Sequence, residues 1–378
     1  MGNKKYAGSF FEHFKIMYDP RQEGKIMHKL IDILFIAVAA TVCKCEDWEE
    51  IEEWATGREE WLRGHLELPN GIPSHYTIKR VFNFIDPKQF EKIFSNWMKE
   101  VTGNTEDTVI AIDGKTMRGT AEKCSGKKAI HIVSAWCSKN NLVLGQVKTE
   151  EKSNEITAIP ELLDLLFIKG SIVTIDAMGC QKDIAKKIVE EKKANYILSL
   201  KENNPLLHEE VSEYFKMVEN EDFKDGSIQH CSTLDKDHGR VEERLYYYST
   251  DINWMDARFD WSGLKGIGMV IRRCNVNRER TEERAYYISS VKSVEEFSKV
   301  RLHWGVESMH WNLDVTFCED ACKTRKGQAP QNLAALKRLA LNMVRKDKER
   351  YPKKSLKGRR FMALLYTDYL DYLFDINF

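Results

Sequence analysis

The chain has 378 residues, 42% of them hydrophobic, and carries 58 Lys+Arg against 58 Asp+Glu, a formal net charge of zero. That is enough for a real core and for two or three units, but balanced charge excludes reading a nucleic-acid partner from overall charge, so such a reading must rest on where the charges lie. The longest apolar run, Ile31 to Val42, is too short to cross a bilayer and is broken by Asp32, and nine cysteines at scattered spacing, with no secretory pattern at the N-terminus, predict a chain without membrane contact in a reducing cytoplasm.

Residues 1 to about 100 read as wholly helical. His28 to Cys43 presents a broad apolar face (Leu30, Ile33, Leu34, Ile36, Ala37, Val38). Trp48, Ile51, Trp54 and Trp61 then recur at helical spacing through the acidic segment Glu46 to Glu60, the pattern of a packed aromatic face opposite a solvated acidic one. Leu68-Pro69-Asn70-Gly71-Ile72-Pro73-Ser74 is a turn cluster, and Ser74 is placed to cap a helix containing Tyr76, Ile78, Lys79, Arg80 and Phe82. Two helices around a Gly-bearing turn, with Lys and Arg early in the second, fit a small DNA-binding module as well as an ordinary helical hairpin.

From Thr108 the pattern changes to strands. Val109, Ile110, Ala111 and Ile112 end in Asp113, and Ile172, Val173, Thr174 and Ile175 end in Asp176. Runs of this length read as buried strands, each delivering a carboxylate to the sheet end where ligands sit in open α/β folds. Two carboxylates in one site repel unless a proton or a cation lies between them, and hard oxygen ligands suit Mg²⁺ or Mn²⁺. Each Asp alone also suits capping of the turn behind it, and both readings stand at this point. Ala129 to Cys137 and Leu142 to Thr149, separated by a turn at 138–141, make a three-strand antiparallel meander with the Asp113 strand. A helix from Ile156 to Phe167, capped by Asn154 or Ser153 with Pro160 in its first turn, leads to the Asp176 strand. A helix bearing Ile184, Ala185, Ile188 and Val189 follows, then a strand from Asn195 to Leu200. This order builds a mixed sheet with helices packed on it.

The order and its two acids resemble the ribonuclease H-like core of DDE transposases. Ala111-Ile112-Asp113-Gly114-Lys115-Thr116 with Arg118, Lys152-Ser153-Asn154-Glu155-Ile156 with Ile159-Pro160-Glu161, Thr174-Ile175-Asp176-Ala177-Met178-Gly179-Cys180-Gln181, His303-Trp304-Gly305-Val306-Glu307 and Leu313-Asp314-Val315 are similar to the insertion-sequence transposases called H-repeat-associated proteins. The resemblance runs from the Asp19-Pro20-Arg21 turn to about Arg345. It implies a transposase that cuts and joins DNA strands, with Asp113, Asp176 and Glu307 as catalytic residues holding two Mg²⁺ (or Mn²⁺) ions. It also implies double-stranded DNA as partner and a homodimer when two ends are paired. Asp314, Glu319 and Asp320 are rival third ligands.

The implied fold is α/β, a ribonuclease H-like mixed sheet flanked by helices, with a β-rich insertion and an N-terminal helical domain. The divisions expected are 1–104 (helical, candidate DNA-binding), 105–202 with 294–345 (catalytic core), 203–293 (insertion, with strands at Glu243 to Thr250, Gly268 to Cys274 and Glu283 to Ser290) and 346–378 (basic helical tail). Val300, His303 and Asp314 stand where related branches carry Tyr, Arg and Lys for DNA phosphates, so contacts are expected from Lys115, Arg118, Arg325 and Lys326, with His303 one turn before Glu307. His238, Arg240 and Arg244 at the start of an insertion strand form either a ladder against DNA or a solvated face. Trp254 and Trp261 either stack on an unpaired base or pack in a core. The run from Lys323 to Arg360, carrying Arg325, Lys326, Lys337, Arg338, Arg345, Lys346, Lys353, Lys354, Lys357, Arg359 and Arg360 among its basic residues, is the clearest electrostatic footprint for DNA. A catalytically silent DNA-binding relative and a metal nuclease that cuts without joining are the alternative functions.

Overall fold

Helices come first along the chain: α1 (Ser9–Phe14), α2 (Leu30–Val42), α3 (Trp48–Gly57), α4 (Glu59–Arg63), α5 (His75–Phe84) and α6 (Pro87–Thr102). The computed structural model describes residues 9–122, 126, 128–150, 154–221, 228–237, 240–276 and 279–375. Asp47 caps α3 by accepting from the Glu50 amide, Ser74 caps α5 through Thr77, and Asp86 caps α6 ahead of Pro87 at its first position. Sequence periodicity understates α2. Every one of its residues but Ile31 is buried, because helices from both ends of the chain surround it.

The strands follow the predicted order. β1 (Val109–Met117), β2 (Ile130–Cys137) and β3 (Leu142–Lys148) are an antiparallel meander. After α7 (Glu155–Leu165), β4 (Ile172–Ile175) pairs parallel with β1, and after α8 (Lys182–Lys186), β5 (Asn195–Leu200) pairs parallel with β4. Asn154 provides the α7 cap, accepting from the Ile156 amide, and Pro160 falls inside that helix, not in its first turn.

The insertion is β-rich as expected, but its strands join the core's own sheet. It opens with α9 (Pro205–Asn220) and then supplies β6 (Ile228–Asp237), β7 (Arg240–Ser249), β8 (Gly266–Val276) and β9 (Glu279–Ser289). β9 pairs antiparallel with β5 from Ile197 opposite Ser289 to Leu200 opposite Tyr286, giving a nine-stranded sheet of order β3-β2-β1-β4-β5-β9-β8-β7-β6. The outermost strand, β6, is largely polar, which is why no apolar run announced it. The chain then returns through α10 (Val294–Ser298), a tight turn at Lys299–Trp304, α11 (Gly305–Val315), α12 (Ala329–Lys346), α13 (Leu356–Leu365) and α14 (Thr367–Asp375).

α12 ties the two halves together, packing on α2, α5 and α6 and also on β3. Fifteen of its eighteen residues are buried, Lys337 and Arg338 among them. Lys337 Nζ donates to the Phe317 carbonyl (2.7 Å), and the Arg338 guanidinium pairs with Glu319 at 2.6 Å with both side chains fully buried. Farther on, Arg359 donates to the carbonyls of Val344 and Asp347, while Arg360 donates to those of Thr41 and Thr316 and pairs with Glu46 at 2.8 Å. Much of the basic C-terminal run is therefore internal wiring. Among the described residues no helix is long and apolar enough to cross a membrane.

Candidate active site

Parallel pairing of β1 and β4 stops with Ile112 opposite Ile175, and the next residue on each is Asp113 and Asp176. β4 ends there, whereas β1 runs on against β2 as far as Met117, so Asp113 lies in mid-strand and not at a strand end as its apolar run implied. The two aspartates stand side by side where the strands part. Asp176 does cap its turn: one carboxylate oxygen, Oδ1, accepts from the amides of Met178 (3.1 Å) and Gly179 (3.4 Å). Burial, together with the charges of Glu155, Asp176 and Glu307, pushes the Asp113 carboxyl up from 3.8 to about 7, against the lowering effect of the Gly114 amide. His310 Nδ1 lies 3.5 Å from Asp113 Oδ2, but burial and the nearby Arg338 and Lys115 push His310 down to about 3, so it stands there as a neutral ring and not as a counter-ion.

Glu307 is exposed in the first turn of α11 and carries no hydrogen bond or ion pair among the described residues. The turn before it holds His303, which is half-buried, with its ring lowered from the usual imidazole value mainly by desolvation. His303 Nδ1 and Thr174 Oγ1 on β4 share a 2.9 Å hydrogen bond. His303 thus fastens the approach to α11 onto the strand that carries Asp176, and is not presented for a DNA contact.

The rival acids are already occupied. Side chains alternate along β1, so Lys115 shares the Asp113 face, and its ammonium meets Asp314 at 2.6 Å, Asp320 at 2.9 Å and Glu319 at 3.3 Å. Its side chain is 7% exposed. This corrects the expectation of Lys115 as a phosphate contact. It also leaves Asp314, Glu319 and Asp320 compensated by Lys115 and Arg338 while the acids around Asp113 repel one another.

Of the other expected DNA contacts, Arg118 has a side chain 85% exposed, Lys326 is exposed, and Arg325 is half-buried with Nε donating to the Gly119 carbonyl at 3.1 Å. Gly327, in the left-handed region at φ +53, lies so close to Asn83 of α5 that a Cβ would collide with the Asn83 amide. That contact joins the 323–327 loop to the outer face of α5, where Tyr76, Lys79 and Arg80 are exposed. Arg244 is corrected: it is buried, paired with Glu242 and with Asp235 at 3.2 Å, and Glu242 in turn holds Arg272 at 3.1 Å. Arg240 begins β7, opposite Asp237 in the backbone register of β6 and β7, and His238 lies outside the described residues. Trp261 is buried in the core, and Trp254 stacks on Tyr214 with centroids 5.1 Å apart.

Glu155 and His131 are the residues the sequence reading missed. Glu155 opens α7 and accepts a 2.7 Å hydrogen bond from His131 Nε2, while His131 Nδ1 meets Thr116 Oγ1 at 2.9 Å. Thr116 and His131 are cross-strand partners on β1 and β2. Glu155 appeared inside a recognised motif, yet a glutamate in a first helical turn is so common that only the alternation of Gly114, Thr116 and His131 toward one sheet face could have singled it out.

The donor set suits a hard divalent cation: carboxylates on separate elements bear on Asp113 with like charge, and among the described residues no cationic side chain is paired with it. Among the described residues no three His, Cys, Asp or Glu side chains are gathered closely enough to chelate an ion as they stand.

Residues 11–98 match the model of the family described as DDE_Tnp_1-associated, and residues 104–343 match the Transposase DDE domain. The chain is 44% identical over 370 residues to "Putative transposase YncI" of Escherichia coli O157:H7, covering 96% of this chain and 93% of that one. It is 39% identical over 366 residues to "H repeat-associated putative transposase YhhI" of Escherichia coli (strain K12), covering 93% and 96%. A solved piggyBac transposase synaptic complex with hairpin DNA aligns over 98% of this chain and 79% of its own with a TM-score of 0.43 and 12% identity.

Proposed function

The chain belongs to the DDE transposases, in the H-repeat-associated group, and from that premise we propose that it cuts and joins DNA strands at a site formed by Asp113, Asp176 and Glu307. The observation that carries the reading is that acids from β1, the end of β4 and the start of α11 bear with like charge on a half-buried Asp113. Asp113, Asp176 and Glu307 would hold the divalent cations, Mg²⁺ or Mn²⁺, through their carboxylate oxygens. When bound, such ions place positive charge on the attacking and leaving oxygens of a phosphodiester, whose own charge repels a nucleophile.

The protein's side chains do the positioning. The Asp176 cap leaves its second carboxylate oxygen for the site, His303 fastens α11 to β4, and Lys115 gathers Asp314, Glu319 and Asp320 away from it. Water attacks phosphorus at an element end and the P–O3′ bond breaks, leaving a 3′-hydroxyl and a 5′-phosphate. That hydroxyl then attacks a target phosphodiester, and the displaced oxygen leaves as the target's new 3′-hydroxyl. Duplex DNA reaches the site across Arg118, Arg325 and Lys326 and continues over Lys79, Arg80 and Tyr76 of α5, which the Gly327–Asn83 contact makes one surface. Two ends handled together call for at least two copies of the chain.

The test is incubation with Mg²⁺, short duplexes bearing the element's own ends and a target plasmid. Joined products are expected. Cut ends alone would replace the reading with a nuclease, and a shifted but intact duplex would replace it with a silent DNA-binding relative.

A further inference from the structure

Around Asp113 the strongest unassigned feature is the chain Thr116–His131–Glu155. A carboxylate only accepts hydrogen bonds, so His131 donates from Nε2 to Glu155 Oε1 at 2.7 Å, and its Nδ1 shares a 2.9 Å hydrogen bond with the Thr116 hydroxyl. Both ends of the ring are taken, and the Glu155 side chain is only 13% exposed. The pair lies directly on the backbone beside Asp113: a Cβ at Gly114 would collide with both Glu155 Oε1 and His131 Nε2. Position 114 therefore has to be glycine for the pair to reach that place.

A glutamate and a histidine pairing at a helix start would ordinarily be a capping contact of no consequence. Here its location sets it apart. Glu155 is the first of the three acids whose charge bears on Asp113, ahead of Asp176 and Glu307. A hydrogen-bonded carboxylate held behind a half-buried aspartate makes its ionisation costlier, and becomes favourable when positive charge arrives. Fixing such a group from behind with a histidine and a hydroxyl is how outer residues orient and strengthen the ligands of a metal site.

We propose that Glu155, oriented by His131 and Thr116, is a fourth acid of this site, a positioning residue whose charge behind the Asp113–Gly114 backbone draws the divalent cation onto Asp113. The proposal rests on the assignment of Asp113, Asp176 and Glu307 to a cation site. Glu155→Gln removes the charge and keeps an oxygen to accept from His131, so it separates charge from scaffolding. Glu155→Asp keeps the charge on a shorter arm.

The experiment is calorimetric titration of Mn²⁺ into the full-length, metal-stripped protein without DNA, comparing wild type, Glu155→Gln, Glu155→Asp and Asp113→Asn, with thermal unfolding of each as a control on folding. Glu155→Gln is expected to weaken Mn²⁺ binding about ten- to hundred-fold without lowering the unfolding midpoint, and Glu155→Asp to recover part of the loss. Should Glu155→Gln bind Mn²⁺ as wild type does while Asp113→Asn has lost it, the role given to Glu155 is overturned and the three-acid site stands. Wild-type binding by both variants overturns the site and the proposal together.

Discussion

Asp113→Asn is expected to make the metal-free protein more stable. The Asp113 carboxyl is raised from 3.8 to about 7, first by burial and then by the charges of Glu155, Asp176 and Glu307. An acid whose folded-state value lies above its unfolded value favours the fold less once it ionises. The penalty is absent below about pH 4, grows between there and about pH 7, and is complete above that. At about 1.4 kcal/mol for each factor of ten in proton affinity, the rise corresponds to an upper limit of about 4 kcal/mol. The side chain is 24% exposed, so screening by water brings the expected gain to about 2 kcal/mol. Asn keeps an oxygen for the Gly114 amide and removes the charge. Urea unfolding in EDTA at pH 8 and pH 4, read as the difference between variant and wild type, isolates the effect from other titrating groups. The variant should gain at pH 8 and not at pH 4, and added Mn²⁺ should stabilise wild type and leave the variant unmoved. An equal gain at both pH values, or none at pH 8, refutes the electrostatic reasoning.

Arg338→Met leaves Glu319 buried with Lys115 as its nearest cation, and thermal or urea unfolding should show a loss of about 3–5 kcal/mol. His310, pushed down to about 3, should show ring carbon and proton NMR shifts that stay flat from about pH 8 to pH 5, where an ordinary histidine titrates; a midpoint inside that range contradicts its burial. Replacing Arg118 and Lys326 by Ala should weaken binding of any duplex about equally, and the slope of log affinity against log salt should fall by about one for each phosphate contact removed. An unchanged slope would put the DNA elsewhere.

The core's strand order was legible because each strand carried its own apolar run and α7 its own Asn154 cap. Asp113 and Asp176 stood out because both runs end in the same residue type. What the sequence hid was the far partner. Lys115, Arg244, Lys337, Arg338 and Arg360 all read as surface charge in a linear scan, yet each is buried against an acid or a carbonyl that is distant along the chain or sits on the next strand. Burial of a cation depends on such a partner, and local charge counts carry no trace of it. Glu155 escaped for a related reason: its meaning comes from His131 on another strand and from the missing side chain of Gly114. The insertion misled differently, since antiparallel strands predict a hairpin stack but not that its last member will pair with β5.

The most direct test is strand transfer itself. Wild-type protein, Asp113→Asn, Asp176→Asn and Glu307→Gln are each incubated with Mn²⁺, a labelled duplex carrying the element's ends and a supercoiled plasmid, and the label joined to plasmid is counted. Label should be joined by wild type only, while all three variants still shift the duplex in a gel. Joining by any one of the three at the wild-type level would contradict the assignment of that acid and with it the site.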